Sequence, residues 1–348
     1  MMKILHSADW HLDAPLQGHA DGLRQALAAI PGRISEIVKE EACDLVLLSG
    51  DLFDGEYTPH TYQDLYHALQ SMEVPVFIAP GNHDYCGVDS PWMKEIWPQN
   101  VHIFKSSQIQ SVALPELNCR VYGAGFEGMD CPALLDGFCA DCQETYAIGV
   151  FHADPTLINS PYNPITKVQV KESRLDYLAL GHIHKRDSFV AGNTVCAWPG
   201  CPQGHGYDEQ GEKGVYIVTL QDTVSVRFYP LQGPRFYDLQ VELENLDSVL
   251  PPVGSEDYYR ITLIGSCQEP DLAALQEKYA RFPNLLLRDK TSHPVDVWSS
   301  LGEDSFEGVY FGLLRQAMEA ADSAEKQEFL LAAKISRQLL DGQEVVLP

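Results

Sequence analysis

Asn82, His83 and Asp84 place an amide, an imidazole and a carboxylate side by side, shortly after the apolar segment Val74–Ala79. The segment is rich in β-branched residues and predicts a buried strand, and the Pro-Gly pair that follows it predicts a turn. Such polar groups can transfer protons or coordinate a cation. Asn and Asp are also favoured turn residues, so this stretch alone is compatible with an ordinary polar loop.

Four further polar clusters follow apolar segments in the same way. They are Asp9-Trp10-His11, Gly50-Asp51-Leu52-Phe53-Asp54, His152 in GVFHAD, and Gly181-His182-Ile183-His184. The two polar residues of the first cluster are two positions apart, as are the two histidines of the last. On an extended chain this spacing puts both side chains on one face. One histidine at a strand end is more often structural than functional, but five such clusters indicate a shared site.

The first half of the chain alternates between apolar strands and helical segments. KILHSADW, CDLVLLSG and VPVFIAPG predict strands, and apolar residues at helical spacing lie between them, from Leu23 to Ile37 and from Tyr62 to Met72. Pro31 is expected to kink the first helical segment or to start a second helix. This alternation predicts parallel β-α-β units, in which functional groups gather at the carboxyl ends of the strands.

The second half contains many short strand-like segments, among them YAIGVFHA, YLALGHIH and GVYIVTL. They predict a layered α/β sandwich that closes with antiparallel strands. A boundary is expected near Gly233-Pro234. We therefore predict three parts: a main domain over 1–234, a small β-β-α-β domain over 235–302, and helices over 303–348.

Composition limits the classes of partner. The 348 residues carry a formal net charge of -25, which argues against a globally basic surface for nucleic acid. One stretch differs, because residues 160–190 hold five cations and three anions. The five are Lys167, Lys171, Arg174, Lys185 and Arg186. They either contact phosphates of a DNA substrate or belong to a solvated surface of mixed charge.

The sequence predicts a cytoplasmic protein without a membrane span. No segment has the apolar length of a transmembrane helix, and the N-terminus lacks the hydrophobic region of a signal peptide. The nine cysteines show no disulfide framework, which favours a reducing compartment. Cys139 and Cys142 form a lone C-x-x-C pair, without the second pair that a typical zinc site would need.

In order, the five clusters read D-x-H, G-D-x-x-D, G-N-H-D, H and G-H-x-H, and this series resembles the calcineurin-like metallophosphoesterase superfamily. The resemblance covers residues 9–184 and implies a two-sheet α/β/β/α sandwich with two divalent metal ions. The first ion would be held by Asp9, His11, Asp51 and His184, and the second by Asp51, Asn82, His152 and His182. Two cations about 3.5–4 Å apart need an anion between them, which is the place of Asp51. A ligand set without cysteine suits Mn²⁺ or Fe²⁺ better than structural zinc.

The same resemblance assigns catalytic roles to two further residues. His83 would act on the phosphate and protonate the leaving oxygen, and Asp54 would hydrogen-bond His83 and favour its protonated form. The remaining histidines match no motif and are expected to be structural or at the surface. They are His6, His19, His60, His67, His102, His205 and His293.

Three further stretches favour one branch of the superfamily. Position 55 is glycine, whereas protein serine/threonine phosphatases carry an arginine after the second acid. HSADWHLDAPLQG, LSGDLFD and WPGCPQGHGYDEQGEKGVY instead resemble DNA repair exonucleases of the SbcD type and their shorter YhaO-like relatives. This implies a DNA exonuclease or endonuclease subunit that works with an SbcC-like coiled-coil ATPase, and it is compatible with a homodimer. A stand-alone phosphodiesterase acting on nucleotides or other small phosphodiesters, and a structural subunit with a vestigial site, remain the alternatives.

Residues 303–341 predict two helices with no visible chemistry. Each has a start signal in capping-box spacing, Asp304 with Glu307 and Asp322 with Glu325. Apolar stripes run along both helices, beginning at Phe306 in the first. The helices either pack on their own domain or, as the resemblance implies, dock on the coiled coil of the ATPase.

Overall fold

The computed structural model describes residues 1–16, 21–265, 270–292 and 296–342. The β-strands are β1 (Met2–Ser7), β2 (Leu45–Leu48), β3 (Val76–Ile78), β4 (Val101–Ile103), β5 (Gln110–Leu114), β6 (Cys119–Gly123), β7 (Tyr146–His152), β8 (Tyr177–Gly181), β9 (Lys185–Ala191), β10 (Thr194–Gly200), β11 (Gly214–Leu220), β12 (Val224–Pro230), β13 (Phe236–Glu242), β14 (Tyr258–Ile264) and β15 (Leu285–Asp289). The α-helices are α1 (Asp21–Ala28), α2 (Ile30–Glu40), α3 (Pro59–Ser71), α4 (Pro91–Lys94), α5 (Lys167–Glu172), α6 (Leu272–Lys278), α7 (Phe306–Ala320) and α8 (Ser323–Leu340). As expected, Pro31 lies in the first turn of a second helix, α2.

Two six-stranded sheets carry the predicted parallel units. The first has the order β12-β11-β1-β2-β3-β4, in which β1 to β4 are parallel and β11 and β12 close the sheet antiparallel. The second has the order β5-β6-β7-β8-β10-β9, with β6, β7, β8 and β10 parallel and an antiparallel strand at each edge. The predicted α/β class is therefore confirmed.

Apolar side chains fill the space between the two sheets. Ile4, Leu47 and Phe77 of the first sheet belong to one buried cluster with Ile148 and Val150 of the second. A second cluster joins the other face of the first sheet to α1, α2 and α3, and a third covers the outer face of the second sheet near α5. This layering is the predicted α/β/β/α sandwich.

A third sheet has the order β13-β14-β15. Together with α6, which lies between β14 and β15 in the chain, it makes the predicted small β-β-α-β arrangement. The chain divides into two compact units: Met1–Asp238 with Pro251–Arg260 and Phe282–Leu286, and Leu239–Leu250 with Ile261–Arg281 and the described residues of Leu287–Pro348. The limits at 234 and 302 that the sequence suggested stay a prediction.

The two C-terminal helices bury a different stripe from the one the sequence suggested. Phe311 of α7 and Ala333 of α8 share a small core with Val297, whereas Phe306 is 76% exposed and Leu313 is 63% exposed. Arg337 of α8 is buried and donates to Glu307 and Ser300. The start of α8 is the predicted Asp322–Glu325 capping box, but α7 is capped by Ser305 rather than Asp304. None of the helices in the described ranges is long and apolar enough to cross a membrane.

Candidate metal centre

The five polar clusters meet where strands of the two sheets end. β1, β2 and β3 of the first sheet lead into the clusters at Asp9, Asp51 and Asn82, and β7 and β8 of the second lead into those at His152 and His182. Backbone hydrogen bonds tie the loops together, from Asp9 N to Gly50 O at 3.0 Å and from His11 N to Asp51 O at 3.0 Å. The clusters that are far apart in the sequence therefore share one site.

The pairs at two-residue spacing do not lie on extended chain. Asp9 and His11 follow the end of β1 and have positive φ angles of 56° and 47°. Asp51 and His182 also have positive φ, at 51° and 90°. Our explanation for the spacing was wrong, because Asp9, His11 and His182 have left-handed rather than extended φ angles. Such a conformation costs a non-glycine residue about 1–3 kcal/mol and is concentrated at functional sites.

Asp51 occupies the middle of the site. Its Oδ2 lies 3.2 Å from His152 Nε2 and 4.0 Å from His11 Nε2, and its Oδ1 accepts a hydrogen bond of 2.9 Å from the His83 backbone. Burial favours the neutral acid, but the imidazoles of His152 and His11 outweigh it and hold the pKa of Asp51 below its usual range. One carboxylate oxygen thus faces a histidine from each of the two ligand sets that the sequence suggested.

The first ligand set contains a carboxylate oxygen that has no hydrogen-bond partner in the described part of the chain. Asp9 Oδ1 accepts from the His182 backbone at 2.9 Å, but Asp9 Oδ2 is buried and has no hydrogen bond within the described part of the chain. Nε2 of His11 and Nε2 of His184 lie 3.1 Å apart. An unpaired buried carboxylate oxygen is costly, and a cation would satisfy it together with the two imidazoles. These residues fit a divalent metal ion.

The second ligand set is built around His152. Its Nδ1 is 2.9 Å from the Ser49 carbonyl oxygen, and its Nε2 is 2.9 Å from Asn82 Oδ1. Burial opposes protonation of His152, but Asp51 outweighs burial and raises the pKa to about 9, so a metal ion here has to displace a proton. Burial and the neighbouring His152 lower the pKa of His182 to about 4. His182 stands slightly apart, with its ring centroid 5.1 Å from that of His152.

Asp84 is a clamp for the loops rather than a ligand. Its carboxylate accepts backbone N–H groups from Gly81 at 2.7 Å, Leu52 at 2.8 Å and Asp51 at 3.2 Å. Burial and the charge of Asp51 raise the pKa of Asp84 to about 6. A Cβ atom on Gly81 would lie 2.3 Å from Asp51 Oδ1, so the loop needs glycine there. Asp84 therefore holds the loops after β2 and β3 against each other.

His83 lies at the mouth of the site, beside the ligands. Its side chain is 48% exposed, and its Nδ1 lies 2.6 Å from Asp54 Oδ1, the contact expected from the sequence. That hydrogen bond raises the pKa of His83 above its ordinary value. A cavity of about 490 Å³ opens beside it and is lined by Tyr57, Tyr85 and Pro91. A phosphoester bound at the site would meet the His83 imidazole on this side.

Sequence reasoning missed a group of contacts around His184. Glu209 accepts a short hydrogen bond from His184 Nδ1, and it also binds His205, which was expected to be structural or at the surface. The ring of His205 lies 5.4 Å from that of His11, measured between centroids. The available signal was topological: β10 runs parallel to β8, so the loop after β10 starts at the edge of the sheet where His182 and His184 lie.

The structure also describes most of the other residues that were named from the sequence. The five cations are all exposed: Lys167 and Lys171 on α5, Arg174 just after it, and Lys185 and Arg186 on the edge strand β9. His6 is buried, with Nδ1 2.7 Å from the Tyr177 hydroxyl. Cys139 and Cys142 belong to no compact group of metal donors in the described ranges. His19 and His293 lie outside the described residues.

A family model for calcineurin-like phosphoesterases matches residues 2–186, which is more than half of the chain. The chain belongs to this family. Its members are metal-dependent hydrolases of phosphoesters, and the donor groups around Asp9 and Asp51 are candidates for the metal centre of this member.

Two curated relatives come from Bacillus subtilis. The uncharacterized metallophosphoesterase YhaO is 27% identical over 385 aligned positions, which cover 98% of this chain and 92% of YhaO. The SbcD component of the nuclease SbcCD is 24% identical over 261 positions, covering 62% of this chain and 66% of that protein. Among solved structures, a dimetal phosphatase from Danio rerio has a TM-score of 0.46 and 13% identity, and the match covers 65% of this chain and 96% of that one.

Proposed function

We propose that this phosphoesterase is a dinuclear-metal phosphodiesterase that cleaves DNA as the nuclease subunit of an SbcCD-like complex. The observation that carries the proposal is the buried oxygen of Asp9, which has no hydrogen-bond partner among the described residues and lies in a group of imidazoles centred on Asp51. When bound, two divalent ions supply Lewis-acid polarisation of the phosphoryl group and lower the pKa of a water molecule. Nitrogen and oxygen donors without sulfur suit Mn²⁺ or Fe²⁺ better than structural zinc.

The ligands are assigned to the two ions as the sequence suggested. Asp9, His11, Asp51 and His184 would hold the first ion, and Asp51, Asn82, His152 and His182 the second. Asp51 would be shared by both ions, and its charge would offset their mutual repulsion. His83 donates a proton to the leaving oxygen, and Asp54 keeps that imidazole protonated and oriented.

DNA is favoured as the substrate by two observations. The sequence similarity to a nuclease subunit extends over 62% of the chain. Exposed cations on α5 and β9 provide a local basic surface on a chain whose net charge is -25. Residues 235–302 would then be a capping domain, as the resemblance to SbcD-type nucleases implies.

A small phosphodiester is the second candidate substrate. The cavity beside His83, at about 490 Å³, lies in the range of small-molecule sites, which runs from about 300 to 1,000 Å³. An acidic chain also suits a nucleotide-sized substrate better than an extended polyanion.

We place the protein in the cytoplasm, a proposal that the eight free cysteines of the described residues support.

A direct assay separates the two substrates. Purified protein with Mn²⁺ is given linear DNA or bis-p-nitrophenyl phosphate, and we expect both to be hydrolysed. Asp51→Asn is the control against a contaminating nuclease. DNA left intact at every Mn²⁺ concentration, while bis-p-nitrophenyl phosphate is hydrolysed, would favour the small phosphodiester as substrate.

Neutralising the exposed cations should weaken DNA binding specifically. We expect Lys185→Gln with Arg186→Gln to lower DNA affinity and to flatten its salt dependence by about 0.9 in log–log slope for each phosphate that is no longer neutralised. Adding Lys167→Gln, Lys171→Gln and Arg174→Gln should extend the effect. DNA binding is measured across a salt series, with bis-p-nitrophenyl phosphate hydrolysis as the internal reference.

The matched control removes two cations from a helix that packs on the first sheet. Arg33 and Lys39 are on α2, which packs on the outer face of the first sheet, so Arg33→Gln with Lys39→Gln removes the same charge elsewhere. An unchanged salt slope in the β9 variant, or an equal change in the control, would mean that Lys185 and Arg186 belong to an ordinary solvated surface. An unchanged slope in the variant that lacks all five cations would extend this conclusion to the other three.

The exposed apolar face of α7 is where we propose that an SbcC-like coiled-coil ATPase docks. Phe306, Val309 and Leu313 are 76%, 59% and 63% exposed, although the opposite face of α7 is packed. Phe306→Glu with Leu313→Glu should abolish co-purification with such an ATPase and leave bis-p-nitrophenyl phosphate hydrolysis intact. Gln316→Glu, an exposed change on the same helix, is the control. If the Phe306→Glu, Leu313→Glu variant still bound the ATPase, the exposed face of α7 would not be the docking site, and the helices would only be part of their own domain.

Truncation is a poorer test of the same proposal. Ending the chain near Ser300 would separate Ser300 from Arg337 and Val297 from Phe311. A truncated protein would therefore expose a small core, and its failure to bind a partner would not report on the exposed face.

A further inference from the structure

Glu209, in the loop after β10, makes contacts that no motif accounts for. Its Oε1 accepts a short hydrogen bond from Nδ1 of His184, the proposed ligand whose other nitrogen faces His11 at 3.1 Å. We propose that Glu209 is a positioning residue that holds the His184 imidazole in place for the first metal ion. This inference rests on the dinuclear site proposed above.

The same arrangement occurs at two other histidines of the site. Nδ1 of His152 is anchored by the Ser49 carbonyl oxygen at 2.9 Å, and Nδ1 of His11 faces Asp54 Oδ1 at 3.3 Å. In both, Nε2 is the nitrogen that faces Asp51. A partner on one ring nitrogen fixes the tautomer and the ring orientation, so the lone pair of the other is directed at the metal. Glu209 completes this pattern for His184.

His184 depends on such an anchor more than the other ligands. Its side chain is 32% exposed, compared with 7% for His11, 17% for His182 and 0% for His152. Packing therefore fixes the ring of His184 least. A hydrogen bond donated by His184 to a rigid carboxylate supplies the orientation that burial supplies at His152.

Glu209 is itself held rigidly. Its Oε2 accepts from the His205 backbone at 2.7 Å, from His205 Nδ1 at 3.1 Å and from the Cys201 thiol at 3.4 Å. Both oxygens are thus acceptors, Oε1 from one donor and Oε2 from three. A glutamine has only one oxygen, so its NH₂ group would face N–H donors either at His184 or at His205. Glu209→Gln is therefore expected to disturb the anchor although it keeps the size of the side chain.

The four side chains His184, Cys201, His205 and Glu209 could instead bind a metal ion themselves, since their donor atoms lie within 4.8 Å of one another. That would require Nδ1 of His184 and the Cys201 thiol to lose protons and Glu209 to release its hydrogen bonds. Cys201 is fully buried, which opposes its thiolate form. Anchoring of His184 needs none of these changes.

Metal binding to the metal-free protein tests the inference. Mn²⁺ is titrated calorimetrically into the wild-type protein and into Glu209→Gln and Glu209→Ala. We expect two ions in the wild type, and in the variants one ion of unchanged affinity and one bound about 10–100-fold more weakly, the usual cost of losing such a partner. Raising Mn²⁺ should restore most bis-p-nitrophenyl phosphate turnover, so the half-saturating metal concentration rises more than kcat falls.

Glu212→Gln is the matched control, since it removes the same charge from the same loop at a half-exposed side chain. It should bind both ions as the wild type does. Thermal unfolding of the metal-free variants shows whether Glu209 only supports the fold.

Three results would overturn the inference. The first is an unchanged affinity for both ions in Glu209→Ala. The second is that this variant binds both ions equally more weakly and has a less stable metal-free fold. The third is a Co²⁺–thiolate charge-transfer band in the wild-type protein that disappears in Cys201→Ser. The last would make the cluster a metal site in its own right. A wild-type protein that binds no metal would refute the proposed function itself and can be recognised as such before any variant is made.

Discussion

Asp51→Asn is expected to lose most of the bound metal and essentially all hydrolysis of phosphodiesters. The substitution keeps the shape of the side chain and an oxygen for the His83 backbone, which lies 2.9 Å from Oδ1. It removes the negative charge between His152 and His11 and can turn an NH₂ group toward the position where two cations would share an oxygen. Without an anion between them, two divalent ions repel each other at short range. Metal content after dialysis and turnover of bis-p-nitrophenyl phosphate are the measurements.

Asp44→Asn provides the control for Asp51→Asn. Asp44 precedes the same strand, β2, at the end away from the site, and its Oδ2 accepts from the Lys3 backbone at 2.8 Å. This isosteric change should leave metal content and turnover near the wild-type values. Two ions per chain in Asp51→Asn, together with retained activity, would contradict the bridging role.

The position of the site could be predicted because it follows from topology. Apolar segments followed by polar clusters indicate parallel strands, and the carboxyl ends of parallel strands meet at one edge. The structure accordingly brings Asp51 to His152 across 101 residues of chain. The prediction needed only the order of strands and helices along the chain, which the spacing of apolar residues indicates well.

The local geometry could not be predicted in the same way. Asp9 and His11 have left-handed φ angles, and nothing in a D-x-H spacing distinguishes such a backbone from extended chain. Glu209 was missed because its partner, His184, is 25 residues away and the hydrogen bond depends on how one loop folds back. Non-local hydrogen bonds of this kind leave no periodic signal.

The C-terminal helices show a different limit. α7 has apolar residues on both sides, so a helical period gives two stripes, one through Phe306 and one through Phe311. Packing in the small core with Val297 and Ala333 buries Phe311. The choice of Ser305 over Asp304 as the cap is a one-residue shift of the kind expected at helix ends.

His83→Ala is expected to keep both metal ions, unlike Asp51→Asn. It should lose turnover by about 10²–10⁴-fold, the usual range for a general acid. The backbone N–H of His83, which bonds Asp51 Oδ1, remains in the variant, so the bridge is undisturbed. Only the imidazole that Asp54 holds at the mouth of the site is removed. His60→Ala, which deletes an exposed imidazole on α3, is the control.

The dependence on the leaving group separates a proton donor from other roles of His83. A leaving oxygen of low pKa departs as an anion and needs little help, whereas an alkoxide must be protonated as its bond to phosphorus breaks. For a series of aryl and alkyl phosphodiesters, a plot of log turnover against leaving-group pKa should therefore fall more steeply in His83→Ala than in the wild type. The two lines should approach each other at the most acidic leaving groups. Parallel lines would mean that the variant loses the same transition-state stabilisation for every substrate, and His83 would then stabilise charge on the phosphoryl oxygens rather than donate the proton.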